Sequence, residues 1–576
     1  MGGGLMAGPP APAQAGGFDV TPTQLNGVAG NVVLQQNMLN KAANDFLYEL
    51  VEYMDCGGYG SAAQAVSAAY VKVGNRFLEV WGKSVASVGG VAVGFVTTAN
   101  NYSKAEAATH PSGTAKPVQF PVPKVIETPP KYQQITDLRW GDMDDYSSGF
   151  ISWLLEGVPD WAMDIVRGLL HHVGRWGKAA DILPLPDYLQ IDKIALAWLQ
   201  PGFAVTQVES ALTGLVGSVS DPNNGEWQAA MRQFASSLWG TTAWGTSTAN
   251  YQWKHDTAGG QGTGSHPVMS VLFDTTQEVS KAMRAFAESA EKMRHEVWRI
   301  YKKAIRDALA DLKQLPDFDD VKKIGKRLLG IGKEVAIGIT LKVDTAAINR
   351  AVSLYEGELR GVESRLTALL PALDEAYRSA PTFQAEEGRA QAFGARSLNE
   401  FKPEHRFTVP GQDPDNMFYP LDLANQEGLY DSHPIDKHVG LTDDQLRQRL
   451  RDQPGAPAAS SFKDLASAQK FTQAALEDIN NADRIAKWIE SVEKKKQNNP
   501  NYDPNKSEIP PVYLEFKEPV GRSVSREDYN TDGMNAQAAE KNWVQVRLIY
   551  KEGLEPPFIV LTAMPHKGPP GTSSTP

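Results

Sequence analysis

The sequence predicts a multidomain protein: all-α N-terminal and middle regions made of long helical hairpins, then an α+β C-terminal domain with an antiparallel sheet. Three observations carry this expectation. Apolar residues recur every three or four positions over 25–50, 66–80, 279–300 and 348–369, the spacing of amphipathic helices. Beyond Val512 the period changes to two, the signature of half-buried strands. The length of 576 residues exceeds what one hydrophobic core organises.

Composition narrows the function classes. The net charge of −11 argues against a protein that coats a nucleic-acid backbone over a broad surface, but not against an enzyme that grips one phosphate locally. A single cysteine, Cys56, leaves no internal disulfide framework and no cysteine-based zinc site. The first 17 residues lack the basic and apolar regions of a cleaved signal peptide, so export would need another route. The most apolar stretch, 84–99, is broken by Gly, Ser and Thr, and is expected to be a helix ending in a small-residue segment.

In chain order, residues 1–19 are a Gly/Ala/Pro tail, expected to be disordered. Thr21, Pro22 and Gln24 then give a cap, a first-turn proline and the third-position glutamine of a capping box. Leu25, Val28, Val32, Leu39, Ala42, Phe46 and Leu50 form the first stripe, with Gln35 interrupting it. Glycines at 57, 58 and 60 allow the chain to reverse, and a second stripe follows at Val66, Ala69, Val73, Phe77 and Val80. Neither helix can bury its stripe alone, so this hairpin must pair with another element.

Two helices of this length around a Gly-aromatic turn resemble the WXG-type substrates of the ESX, or type VII, secretion system of Gram-positive bacteria. The turn of that family reads Trp-x-Gly; here it is Tyr59-Gly60. The family's export signal, a tyrosine followed four residues later by an acid, is matched by Tyr102 and Glu106. The resemblance covers 20–106. It implies secretion without a cleaved signal peptide, and small helical-hairpin export partners.

Residues 107–135 are proline-dense and predict an extended linker. The region 136–266 is tryptophan-rich, with helical stretches at 151–176 and 192–216 broken by Pro159 and Pro201. It shows no catalytic pattern, and His171-His172 lack a neighbouring carboxylate cluster for metal binding. A second hairpin or stem is expected over 267–380, ending its two seams at Pro316 and Pro371, with a glycine-containing hinge at 322–341. Residues 381–420 turn polar, carry five prolines, and predict another linker.

The C-terminal domain, 421–576, holds the residues with chemical potential. His433 and His438 precede a short helix that Thr442 and Gln445 would cap, and Arg447 and Arg449 ride its last turn. An imidazole that titrates near neutrality beside a guanidinium suits chemistry on a phosphate. A surface histidine next to an ordinary amphipathic helix is the competing reading of the same residues. A helix is expected over 465–479, another around Trp488, and a polar loop over 494–510. Strands are predicted at 512–516, 544–550 and 558–562, with Phe558, Val560, Thr562 and Met564 on one face of the last.

In order, these motifs resemble the bacterial RNase A-like toxin domains found at the C-termini of contact-dependent inhibition proteins and other polymorphic toxins. The motifs are His433-x-x-x-x-His438-Val-Gly, Arg447-x-Arg449-Leu, Ala459-Ser-Ser-Phe-x-Asp464 and Leu561-Thr-Ala-x-Pro565. The resemblance spans about 425–566. It implies an α+β RNase A-like fold and a metal-independent, cofactor-free endoribonuclease. Carried over by position, the catalytic set is His438, Arg449 and Thr562, with His433 in support. The family's final tyrosine position is Met564 in this chain, and His566 would replace it only if the strand end curled back. Cleavage would proceed through the ribose 2′-OH, so DNA is not a substrate. The domain carries 19 Lys and Arg against 23 Asp and Glu, so RNA would have to be held in a local groove. A cognate immunity protein is the implied partner. The alternative is a non-enzymatic secreted helical protein whose C-terminal domain is a degenerate binding or adhesin module.

Overall fold

The computed structural model describes residues 21–109, 114–138, 158, 177–182, 185–219, 268–313, 337–401 and 418–570. The N-terminal tail, most of the tryptophan-rich region with His171 and His172, and the larger part of the expected hinge lie outside the described residues.

Helix α1 (Pro22–Val51) opens on the expected capping box between Thr21 and Gln24, with Pro22 in its first turn. Leu25, Val28, Val32, Leu39, Phe46 and Leu50 are buried as the spacing predicts, with Ala43 rather than Ala42 completing the stripe. The polar residue inside the seam is Gln36. Its fully buried amide donates to the carbonyls of Val85 and Ile126, each at 2.8 Å, and accepts from the Ile126 N–H at 3.0 Å. A buried amide satisfied at both ends specifies one register of packing.

Helix α2 (Ser61–Thr109) does not end in the small-residue segment but runs through it. The glycines there serve a helix crossing. A β-carbon at Gly90 would stand 2.2 Å from the Phe383 carbonyl oxygen, and one at Gly94 would stand 2.3 Å from the Ala390 Cβ. Part of α2 is apolar and long enough to cross a membrane; in this structure that stretch is mostly packed inside the protein.

Two expected linkers are corrected by the packing. Residues 114–138 are extended but docked along the first hairpin. The Phe120 N–H donates to Asn100, Tyr132 Oη to Asn40, the Ile135 N–H to Asn75 and the Leu138 N–H to Ser67. The segment 381–420 is no spacer in its first half, because Phe383–Phe401 is a helix lying across α2. Its alanines and glycines give close contact, which composition alone disguised as polarity.

The middle of the chain joins the same core. Helices α3 (Tyr188–Ala197) and α4 (Leu199–Ser218) flank the fully buried Trp198, whose indole N–H donates to Tyr70 Oη at 3.1 Å. Pro201 lies in the first turn of α4, where it starts the helix rather than breaking it. Helices α5 (Val268–Lys313) and α6 (Thr345–Thr367) bury Val279, Met283, Phe286, Met293, Ile348, Val352 and Leu359 as predicted. One continuous apolar cluster reaches from Leu25 to Ala390, so the two hairpins expected as separate domains share a single core. Each hairpin covers the other's stripe. Helix α7 (Leu370–Ser379) and helix α8 (Phe383–Phe401) then lead toward the C-terminal domain.

That domain is α+β. Helices α9 (Leu423–Gln426), α10 (Asp443–Asp452), α11 (Leu465–Glu477) and α12 (Ile479–Asn498) accompany two antiparallel three-stranded sheets. The expected strands appear as β2 (Val512–Glu515), β5 (Trp543–Tyr550) and β6 (Phe558–His566), in the order β2-β5-β6. The second sheet, β1 (Ala458–Phe462), β3 (Gly521–Ser525) and β4 (Ala539–Lys541), was not legible, because its small and polar residues lack strand propensity. Helix α12 also takes the first residues of the expected 494–510 loop.

One register detail positions the site. Arg547 of β5 opposes Thr562, while the next residue, Leu548, opposes Val560, leaving Leu561 as an unpaired extra residue. Such a bulge reverses the alternation beyond it. The core face therefore reads Phe558, Val560 and Ala563, opposite Tyr550, Leu548 and Val546. Thr562 and Met564 move to the other face, beside Arg547 and Gln545, and do not share the face of Phe558 and Val560 as alternation predicted.

Candidate active site

His438 sits in a loop fixed from several sides. The Phe462 N–H of β1 donates to the His438 carbonyl at 2.7 Å, and the Gly440 N–H donates to the Phe462 carbonyl at 3.0 Å. Gly440 has φ +70°, and a β-carbon there would stand 2.6 Å from the Ala385 nitrogen of α8, so both conformation and space demand glycine. On the other side of the loop, half-buried Glu427 accepts from the Ile435 N–H at 2.7 Å.

The imidazole of His438 is 1% exposed. Its Nδ1 lies 3.0 Å from the Ser460 carbonyl oxygen. A carbonyl only accepts, so Nδ1 carries the proton and Nε2 the lone pair. Nε2 is buried and has no hydrogen-bond partner among the described residues. Burial first, then the nearby Arg449, His433 and Lys437, hold this histidine well below its ordinary value, against the opposing pull of the Ser460 carbonyl. At neutral pH it is a neutral base with its lone pair unused.

Arg449 reaches the same loop from α10, whose Thr442–Gln445 capping box is formed as the sequence predicts. Its Nη1 donates to the Lys437 carbonyl at 2.9 Å and its Nε to Gln453 at 3.3 Å, with the residue 8% exposed. Burial lowers it to about 10, so it remains a cation at neutral pH. Arg447 turns away to the Ala536 carbonyl and Asp444. Lys437, half-buried and lowered chiefly by burial and then by Arg449, adds a further cation that sequence reasoning did not single out.

His433 stacks on His438, with ring centroids 6.4 Å apart and planes at 28°. Its Nδ1 is 2.7 Å from the Asp431 carbonyl, and burial followed by Lys437 lowers it to about 4. Its backbone N–H donates to the Leu561 carbonyl at 3.0 Å, and the preceding Ser432 Oγ donates to the Val560 carbonyl at 2.6 Å. The histidine loop is thereby tied to the bulge that turns Thr562 over. Thr562 is 3% exposed, and its Oγ1 has no hydrogen-bond partner among the described residues. Arg547, opposite Thr562, lies close enough to His433 to depress it, as does Arg449.

The structure thus gathers His433, His438, Arg449 and Thr562 around one loop-strand junction, with Lys437 and Arg547 as cations that sequence reasoning missed. Met564 lies two residues along β6, half-buried, opposite Gln545. His566 does not curl back: the strand continues to it, about 13 Å from Thr562 at the ordinary rise per residue. It pairs with Trp543 and contacts the Tyr513 ring at 5.4 Å. Tyr102 belongs to the helical body rather than to this domain. It is buried within α2 with its hydroxyl donating to the Gly394 carbonyl at 2.8 Å, while Glu106 is exposed.

A neutral imidazole with a directed lone pair, a neighbouring guanidinium and an unpartnered hydroxyl form a set for moving a proton beside an anion. This set belongs to an α+β domain that matches a known family. Residues 432–565 match the model described as the bacterial CdiA-CT RNAse A domain. The match lies within the C-terminal domain, which is similar to that toxin-domain family. Among solved structures, the chain shows similarity to one described as the crystal structure of a CdiA-CT/CdiI complex from Y. kristensenii 33638. The two are 23% identical, with 23% of this chain and 96% of that chain covered and a TM-score of 0.18. No curated protein matches the chain.

Proposed function

We propose that the chain is an exported antibacterial toxin whose C-terminal domain is a metal-independent endoribonuclease. The observation that carries this reading is the His438 imidazole, fixed by Ser460 in the tautomer that leaves Nε2 as acceptor, within the electrostatic reach of Arg449. His438 removes the proton of a ribose 2′-OH, whose oxygen attacks the adjacent phosphorus. The P–O5′ bond breaks, giving a 2′,3′-cyclic phosphate, and the departing 5′-oxygen takes a proton from water to become a 5′-hydroxyl, while His438 later returns its proton to solvent. Arg449 neutralises the charge that builds on the non-bridging oxygens. Thr562 Oγ1 donates to a phosphate oxygen or a base edge.

The test is incubation of the full chain with RNA and with DNA of the same sequence in excess chelator. Cleavage of RNA alone to cyclic-phosphate ends, lost in His438→Ala, is expected. Intact RNA with folded protein would count against the enzyme and favour the degenerate binding module. A toxin also requires a cognate immunity protein in the producing cell. The N-terminal hairpin's likeness to ESX-type substrates supports a type VII route with helical-hairpin partners, read through Tyr102 and Glu106. The buried Tyr102 would then have to unpack for recognition, and Tyr102→Ala should keep the protein inside the producing cell.

A further inference from the structure

The face of the β2-β5-β6 sheet that carries Thr562 extends well beyond it. Cross-strand register puts Tyr513, Gln545 and Met564 in one row, next to the row of Arg547 and Thr562, and Trp543 and His566 in the following row. These side chains alternate with fully buried Val544, Val546 and Leu548, and all of them are partly exposed except Thr562. The two aromatic rings Tyr513 and His566 touch, with centroids 5.4 Å apart and planes at 50°. His566 Nδ1 accepts from the Gly568 N–H at 3.1 Å, which fixes the ring.

Charges of both signs lie around this pair: Glu515 opposes Trp543 in the row of His566, and cations are also near. Lys541 and Lys567 lie close enough to His566, and Arg484 close enough to Tyr513, to act on their titration. In a domain whose overall charge is negative, three cations and one carboxylate, Glu515, lie near an aromatic pair on the same face as Thr562. Single-stranded nucleic acid is recognised by this combination, bases stacking on rings while cations follow the backbone. Tyr513 lies two strands across and two residues along from Thr562. With strand spacing near 4.8 Å this is about 12 Å, one to two nucleotides of extended strand.

We propose that Tyr513 and His566 form a base-stacking subsite for the RNA strand on one side of the scissile phosphate, with Lys541 and Lys567 holding its backbone. This rests on the ribonuclease reading, and extends it from a cleavage centre to a track that holds the substrate. It also accounts for how an acidic domain grips RNA locally.

The experiment compares the full chain with Tyr513→Ala, Tyr513→Phe and Lys567→Glu on a dinucleotide and on oligonucleotides lengthened by two residues at the 5′ or the 3′ end. Tyr513→Ala is expected to lower kcat/KM on one of the longer substrates by about 5- to 150-fold, mainly through KM, with a smaller loss on the dinucleotide. Tyr513→Phe, which keeps the ring, restores most of it. Lys567→Glu, beyond the end of β6, weakens the longer substrate most at low salt. Equal losses at every length, or none, would overturn the subsite while leaving the ribonuclease intact. If the wild type cuts no RNA, the ribonuclease reading fails, and the subsite is read from anisotropy of a labelled 2′-O-methyl pentanucleotide. Binding lost in Tyr513→Ala and kept in Tyr513→Phe supports it; absence of binding to the wild type overturns it.

Discussion

The backbone N–H of His433 donates to the carbonyl of Leu561 at 3.0 Å, which joins the histidine loop to the one unpaired residue of the last strand. That bond couples two segments more than a hundred residues apart. The bulge turns Thr562 out of the core face, and the loop holds His438 against the same junction.

The roles proposed for His438 and Arg449 predict losses of different kinds. His438→Ala removes the base and should lower kcat by about 10²- to 10⁴-fold. Arg449→Ala removes charge stabilisation of the transition state and should cost about 10²- to 10³-fold. Arg449→Lys should recover little, because the guanidinium also donates to the Lys437 carbonyl. Single-turnover cleavage of a defined RNA measures all three.

Thr562→Val should separate stability from activity. The substitution keeps the shape and removes a buried oxygen that has no partner among the described residues, so unfolding should become about 1 kcal/mol harder. Cleavage should fall. A denaturant midpoint and a rate on the same preparation are the two readings. Met564→Tyr, at a half-buried position on that face, should raise the rate if a hydroxyl is what the site lacks.

Histidines that are harder to protonate in the folded chain make stability depend on pH with a definite sign. His433 is lowered to about 4 in the folded chain, whereas in the unfolded chain it titrates near 6.5. Below 6.5 the unfolded state binds the extra proton, so the contribution is complete above 6.5 and is lost as pH falls toward about 4. His438, also lowered, adds in the same direction. The stability difference between wild type and His433→Gln should therefore shift against the wild type from pH 6.5 to 4. The activity profile should keep its neutral-base limb below the usual histidine range.

Gly440→Ala tests the seam between the helical body and the site. Left-handed backbone costs a residue with a side chain about 1–2 kcal/mol, and the added carbon would press on the Ala385 nitrogen of α8. Thermal unfolding should report at least that loss. Activity should fall further, because Gly440 is two residues from His438.

Tyr102→Phe removes only the hydroxyl that donates to the Gly394 carbonyl, and should cost about 0.5–1.5 kcal/mol. Export measured for Phe and Ala side by side separates packing from recognition. A signal that reads the ring survives Phe and fails with Ala.

Much of this protein was legible before folding. The capping boxes at Thr21 and Thr442, the stripes of α1, α2, α5 and α6, and the strands β2, β5 and β6 follow from period and end chemistry, which are local. The candidate site residues were proposed from ordered motifs, and the fold sets them near one loop-strand junction. What the sequence left open depends on neighbours distant along the chain. Helix α8 looked like a linker because its glycines and alanines show their purpose only against α2. The proline-dense strap looked like a spacer because its hydrogen bonds go to side chains of another element. The neutral state of His438 and the face of Thr562 were decided by tertiary structure alone. The first needs a carbonyl from β1 and the exclusion of water, and the second needs a bulge that breaks the period on which strand reading relies.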